Sequence, residues 1–329
     1  MLHTPLCDLL GLDLPVFAAP FGPWDEVDLA AAVCEAGGLG SLGTAVRPLE
    51  ELRAQWARLR ERTSRPFAIN HQTRPFDAAV FDASLEDAPA AISFSLGDPG
   101  DLVARAHEAG ALWIQQVMTA EQARIALDRG ADVLIAQGAE AGGHSGEVGT
   151  MVIVPQVVDL AGPVPVVAAG GIADGRGIAA ALALGAQGVV MGTRLLASSE
   201  MAIDAEWKNA IADADATDAI KDDVTDVLLP PYNRPHWPAR PRLLRTQLHD
   251  EWLGREDELA ERAGEIAPRV IADVLDGRGH DVLPFAGQSA GLVHDVRPAA
   301  DIIRDAVAQA RDILEASVAQ TRSTSSSLR

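Results

Sequence analysis

The feature that most constrains this chain is a rhythm. Over the first two hundred residues, short apolar, β-branched runs alternate with amphipathic stretches of helical length. The pattern predicts strands at Leu14–Ala18, Leu39–Leu42, Phe67–Ile69, Ala91–Phe94, Leu112–Val117, Asp132–Ala136, Val164–Ala168 and Gly188–Met191. Between them lie helix-like segments such as Asp25–Ala36, Pro48–Glu61, Pro99–Ala109, Ala120–Asp128 and Asp174–Leu184. Asp25, Thr119 and Asp174 stand where helix starts need caps, and Gly110, Gly130 and Gly185 stand where helices end in a left-handed residue. Strands separated by helices must pair in parallel. Eight such units, spaced about 25 residues apart, close into an α/β fold, the (β/α)8 TIM barrel. An open doubly wound sheet is the competing fold, but the first strand is not followed by its GxGxxG fingerprint.

Beyond Ser199 the rhythm is lost. Residues 204–288 carry helical patterns and a proline-rich stretch, Pro230–Pro238, which holds the only tyrosine, Tyr232. That length exceeds a loop and reads as an inserted, mostly helical lid or substrate domain. Residues 1–203 and 289–329 then form the barrel, with Pro298–Ala316 as its last helix and the serine-rich Thr321–Arg329 expected to be disordered.

Composition narrows the function classes. Forty-seven acidic residues against 27 basic give a net charge of −20. That excludes a nucleic-acid backbone binder and an electrostatic membrane anchor. No apolar run approaches the roughly 18 residues of a membrane span, and the N-terminus lacks a signal-peptide pattern. With only Cys7 and Cys34, a disulfide framework is not expected, and the chain reads as cytoplasmic, a monomer or homodimer. The only lysines, Lys208 and Lys221, fall beyond the eighth strand, which disfavours a strand-lysine Schiff-base enzyme.

Barrel chemistry sits at the C-terminal ends of the strands. There the sequence places Ala19-Pro20-Phe21, then Asn70-His71, and Gln137 leading to Gly142-Gly143-His144; Gly170-Gly171 and Gly192-Thr193 follow the last two strands. Glycines at helix N-termini after the last two strands expose N–H groups that suit a phosphate. They also suit plain tight turns. His144 follows two glycines, so its imidazole can meet a flat ligand, and imidazole suits proton transfer at neutral pH. A solvent-facing loop histidine is the alternative. His71 is a second, weaker candidate. His71, His144, Glu140 and Glu147 lack the spacing of a metal site, and no metal is expected.

Three ordered motifs resemble the nitronate monooxygenases, formerly 2-nitropropane dioxygenases. They are Gln137 to His144, Val164 to Gly177 and Ala180 to Arg194; a weaker match spans Ala286 to Leu292. The resemblance implies FMN, with its phosphate on Gly170, Gly171, Gly192 and Thr193. Its ring would lie near Ala19, Pro20, Phe21, Asn70, Gln137, Gly142 and Gly143. It further implies His144 as general base, a nitroalkane or nitronate as substrate, and O2 as oxidant. Phe21-Gly22-Pro23 departs from the Met-Ala-Gly of many members. Phe285, Gln288, Trp237 and His71 are possible pocket residues; burial in the lid core is the alternative for the first three. Two rival readings remain: an FMN-dependent NAD(P)H enoyl-ACP reductase, and a flavin-free phosphate-binding isomerase or lyase barrel.

Overall fold

The computed structural model describes residues 2–72, 76–229 and 239–326. The strands, in chain order, are β1 (Val16–Ala18), β2 (Gly40–Gly43), β3 (Phe67–Gln72), β4 (Ala91–Ser95), β5 (Leu112–Val117), β6 (Val133–Gln137), β7 (Gly143–Ser145), β8 (Val166–Ala169), β9 (Gly188–Met191), β10 (Ala219–Lys221) and β11 (Arg240–Leu244). Eight of them form one parallel sheet in the order β1-β9-β8-β6-β5-β4-β3-β2. Its two edges meet: the Ala18 N–H donates to the Leu39 carbonyl and the Leu39 N–H to the Val16 carbonyl, both at 2.9 Å. The sheet is a closed (β/α)8 barrel, as the repeat predicts.

Two apolar cores follow from the alternation of side chains along each strand. Inward residues such as Phe17, Leu39, Ala68, Ala91, Ile114, Val133 and Val167 fill the lower barrel together with Leu6, Cys7 and Leu10 of the helix Pro5–Leu10. That helix plugs the N-terminal end and stops at Gly11, whose φ of 68° lets its N–H reach the Cys7 carbonyl. Outward residues, Trp113 and Phe94 among them, pack beneath the helical ring with Trp56 and Phe81 and are fully buried. Burial of each such side chain stabilises by about 1.5–3 kcal/mol.

Two features differ from the sequence expectations. The segment 204–288 contains strands as well as helices: β10 and β11 join β7 in an antiparallel sheet, with Pro241 opposite His144 and Arg242 opposite Gly143. Both new strands are short and Pro241 lies inside the central one, which hides the alternation a strand normally shows. The last helix runs Ala299–Ser326, through much of the tail read as disordered. Ala316, Ala319, Gln320 and Arg322 supply helix propensity there. Among the described residues, no helix is long and apolar enough to cross a membrane.

Val224, Leu228, Trp252, Leu259, Val270, Val282 and Leu283 make a separate small core within the inserted segment. Arg255 and Arg262 lie over the Trp252 ring at 4.8 and 5.3 Å and shield it from water.

Candidate active site

A cavity of about 760 Å³ opens at the C-terminal mouth of the barrel. Small inward residues create it: Ser41, Gly43 and Ala169 leave the upper barrel unfilled, above the packed layer of Phe17 and Leu39. A polar layer crosses this space. The Asn70 amide donates to Ser93 Oγ at 2.8 Å, and the Gln116 amide to Gln137 Oε1 at 3.2 Å. Strand alternation turns Asn70 and Gln72 into the cavity and His71 away from it.

His71 is therefore a buried side chain of the outer layer. Its Nε2 lies 2.9 Å from Ser84 Oγ and its Nδ1 3.2 Å from Thr44 Oγ1, and burial pushes its pKa down to about 4. It does not line the cavity. Gln288 does not either: its N–H is tied to the Glu140 carbonyl at 2.9 Å. Trp237 and Tyr232 lie outside the described residues. Ala19, Pro20, Phe21, Asn70, Gln137, Gly142, Gly143, His144, Gly170, Gly171, Gly192, Thr193 and Phe285 all border the one cavity.

The glycine cradle has a clear geometry. Gly170 and Gly171 have φ of 102° and 74°, and a Cβ on Gly170 would sit 3.0 Å from both the Gly138 carbonyl oxygen and Thr150 Oγ1. Among the described residues, the N–H groups of Gly170, Gly171, Gly192 and Thr193 donate to no protein acceptor. Donors that line a cavity without an internal partner make an anion nest. One element of the sequence expectation changes. The helix Gly175–Ala183 after β8 does not present its end to the cavity, because Asp174 caps the Arg176 N–H and Gln309 Oε1 takes the Gly175 N–H at 2.7 Å. The loop glycines, not that helix, supply the donors.

Close backbone packing holds the cradle. Gly142 has no room for a side chain, since its Cβ would meet the Ala286 carbonyl carbon at 2.7 Å. The Gly287 N–H donates to Thr193 Oγ1 at 2.8 Å, which leaves the hydroxyl hydrogen of Thr193 for another acceptor. Glu140 accepts from the Thr150 N–H at 2.9 Å and from its hydroxyl at 2.8 Å.

Gly143, at φ 66°, turns the chain so that His144 reaches the cavity wall. His144 Nε2 lies 2.7 Å from Asp226 Oδ1, with side-chain exposures of only 12% and 5%. A carboxylate accepts, so Nε2 is the donor in this contact. Asp226 belongs to the helix Val224–Leu228 of the inserted segment. Sequence reasoning missed it: it lies 82 residues from His144, and nothing local separates it from Asp222 and Asp223.

Glu26 was also missed. It is buried, and its carboxylate accepts the Phe21 N–H at 2.7 Å and the Gly43 N–H at 2.5 Å, clamping two cavity-lining loops together. Burial pushes its pKa up to about 7, against the opposing pull of those two donors. A sequence signal existed in the acidic pair Asp25-Glu26 beside an apolar helix start, but it read as a cap.

Across the mouth, the wall is apolar. Trp24, Trp207, Leu228, Val274, Leu283 and Phe285 border it, with the Trp24 and Trp207 rings edge to face at 4.9 Å. Among the described residues lining the cavity, His144 is the only ionisable side chain.

A parallel eight-stranded barrel whose covered mouth holds the cavity defines a (β/α)8-barrel enzyme. Its family follows from comparison: the nitronate monooxygenase profile matches residues 3–77 and 72–309, and the chain belongs to that oxidoreductase family. Nitronate monooxygenase npaC of Metarhizium robertsii is 34% identical over 340 residues, covering 92% of this chain and 93% of that protein. A 5-hydroxy-7a-methyl-1-oxo-octahydro-1H-indene-4-carboxyl-CoA dehydrogenase of Mycobacterium tuberculosis is 41% identical over 205 residues, 61% of this chain. The match spans 58% of that relative's own length, and 57% of its Rhodococcus jostii counterpart's. Among solved structures, FabK of Thermotoga maritima superposes with a TM-score of 0.87 at 33% identity, covering 97% of this chain and all 100% of the other.

Proposed function

We propose that this protein is an FMN-dependent oxidoreductase that converts nitroalkanes and their nitronates, with O2, to carbonyl compounds and nitrite. The observation that carries the reading is His144: it is held by a buried carboxylate and is the only ionisable side chain among the described residues lining the cavity. The cavity also fits the cofactor, because the partnerless N–H groups of Gly170, Gly171, Gly192 and Thr193 suit its phosphate. Asn70 and Gln137 place polar edges beside an otherwise apolar slot for a ring. The reading divides the chain as the sequence suggests, with residues 1–203 and 289–329 holding the cofactor and 204–288 covering the substrate.

The residues account for the proton chemistry. Carbon next to a nitro group is acidic, and His144, held through Nε2 by Asp226, removes its proton. The imidazolium so formed faces the nitronate on one side and the Asp226 carboxylate on the other. The apolar wall excludes water, which strengthens both interactions. When bound, the flavin supplies the redox step, and overall two nitronates and one O2 give two carbonyl compounds and two nitrites.

The first test is the visible spectrum of the purified protein, followed by nitrite release from a nitronate under air. Absence of the two oxidised-flavin bands, with none appearing on reconstitution with FMN, would overturn the reading. A second reading, reduction of an enoyl thioester by NAD(P)H, draws support from the extent of the apolar wall. NAD(P)H consumption with an enoyl thioester, without nitrite release from nitronates, would replace the first reading by the second.

A further inference from the structure

We infer that the substrate of this site has a bulky apolar body without a carboxylate, rather than being a small or carboxylate-bearing nitro compound. The inference rests on the flavin and nitroalkane reading for its chemistry, and on the shape and charge of the cavity for its content.

Volume is the first argument. A cavity of about 760 Å³ lies in the upper part of the range for sites that enclose a drug-sized ligand. The flavin's place is defined by the polar layer and the glycine cradle. What remains lies against Trp24, Trp207, Thr225, Leu228, Val274, Leu283 and Phe285, a wall whose polar atoms are the indole N–H groups of Trp24 and Trp207 and the Thr225 hydroxyl. A small nitroalkane would leave that wall facing water.

Charge is the second. A carboxylate taken into this space needs a cation, and the lining described has none besides His144. Among the described residues, Arg47 binds the Pro23 carbonyl and lies 3.6 Å from Glu51, and three further cations near the cavity are committed elsewhere. Arg242 donates to the Ala139 carbonyl at 3.1 and 3.0 Å and to the Ala219 carbonyl at 2.5 Å. Lys221 binds the Gly146 carbonyl and lies 3.3 Å from Glu147, and Arg194 donates to the Asp295 carbonyl at 2.7 Å and to its carboxylate at 2.5 Å. Burial lowers the pKa of all three.

The rim is the third. Val46, 64% exposed, and Ile271, 46% exposed, both line the cavity. Large apolar side chains left in water on a cavity rim extend the binding surface outward. An apolar body reaching them would cover both.

The test uses the flavin-loaded enzyme and two series of equal chain length. Straight-chain ketones and their ω-carboxylate counterparts are titrated by tryptophan fluorescence, since Trp24 and Trp207 border the cavity. 1-Nitroalkanes from nitroethane to nitrooctane are assayed for nitrite release. Ketone dissociation constants are expected to fall about fourfold per added methylene, the value for burying one CH2. The ω-carboxylates are expected to bind at least about a hundredfold more weakly than ketones of the same length. Ile271→Asp, at an exposed position that the fold tolerates, should flatten the length series. Affinity independent of chain length, or carboxylates binding as tightly as ketones, would overturn the inference. Length-dependent ketone binding without turnover of any nitroalkane would instead sustain this inference and overturn the nitroalkane reading.

Discussion

Replacing Asp226 by asparagine tests the core of the site with almost no change of volume. The carboxylate lies 2.7 Å from His144 Nε2 and is 5% exposed, so solvent screens it little. An amide oxygen in the same place still accepts the Nε2 hydrogen and keeps the imidazole oriented, but the negative charge opposite the forming imidazolium is gone. A hydrogen bond to a charged group contributes about 1.5–3 kcal/mol. Asp226→Asn should therefore slow proton abstraction by about 10- to 150-fold. The assay compares neutral nitroalkanes, which need the base, with preformed nitronates, which do not. Turnover of the nitroalkane should drop by that factor, with little change in KM, while turnover of the nitronate stays near wild type. His144→Ala should show the same asymmetry, enlarged. Equal losses on both substrates, or no loss on the neutral one, would refute the role given to the pair.

The cradle and the buried titrating groups give further expectations. Gly170→Ala puts a side chain at φ 102° and 3.0 Å from two oxygens, and should weaken FMN reconstitution by tenfold or more. Gly264→Ala, in a helix with open space around it, should leave FMN affinity unchanged and raise stability by about 0.5–1 kcal/mol in urea denaturation. Glu26 has a native pKa of about 7, above its ordinary 4.5, so its contribution is full below pH 4.5 and is lost as pH rises through 7. Relative to wild type, Glu26→Gln should therefore gain up to about 3 kcal/mol of stability between those limits. His71 shows the opposite sign. Its native pKa of about 4 lies below the ordinary 6.5, so wild type loses stability as pH falls from 6.5 to 4, and His71→Gln should abolish that part of the loss. Urea titrations at stepped pH measure both.

The barrel was legible because its punctuation is local. Gly110, Gly130 and Gly185 close helices at φ 83°, 90° and 94°, and Thr119 and Asp174 cap the helices they precede with their own side chains. The residues at the mouth were legible for the same reason, since strand ends follow from strand positions. The orientation of His71 was also within reach. Asn70 faces inward, and a period of two turns its neighbour outward. Contacts made across the fold were not legible. Asp226 meets His144 through the pairing of β11 with β7, and Pro241 disguises β11 as a loop. Glu26 gains its role only when the loops after β1 and β2 come together around it. The tie of Gln309 to Gly175 joins residues 134 positions apart.

The contact between His144 and Asp226 joins two parts of the chain. The imidazole is carried by the barrel and the carboxylate by the helix Val224–Leu228 above it. On the proposed reading, lifting that helix would carry Asp226 away from His144, so the carboxylate would stand opposite the imidazole only while the mouth is covered.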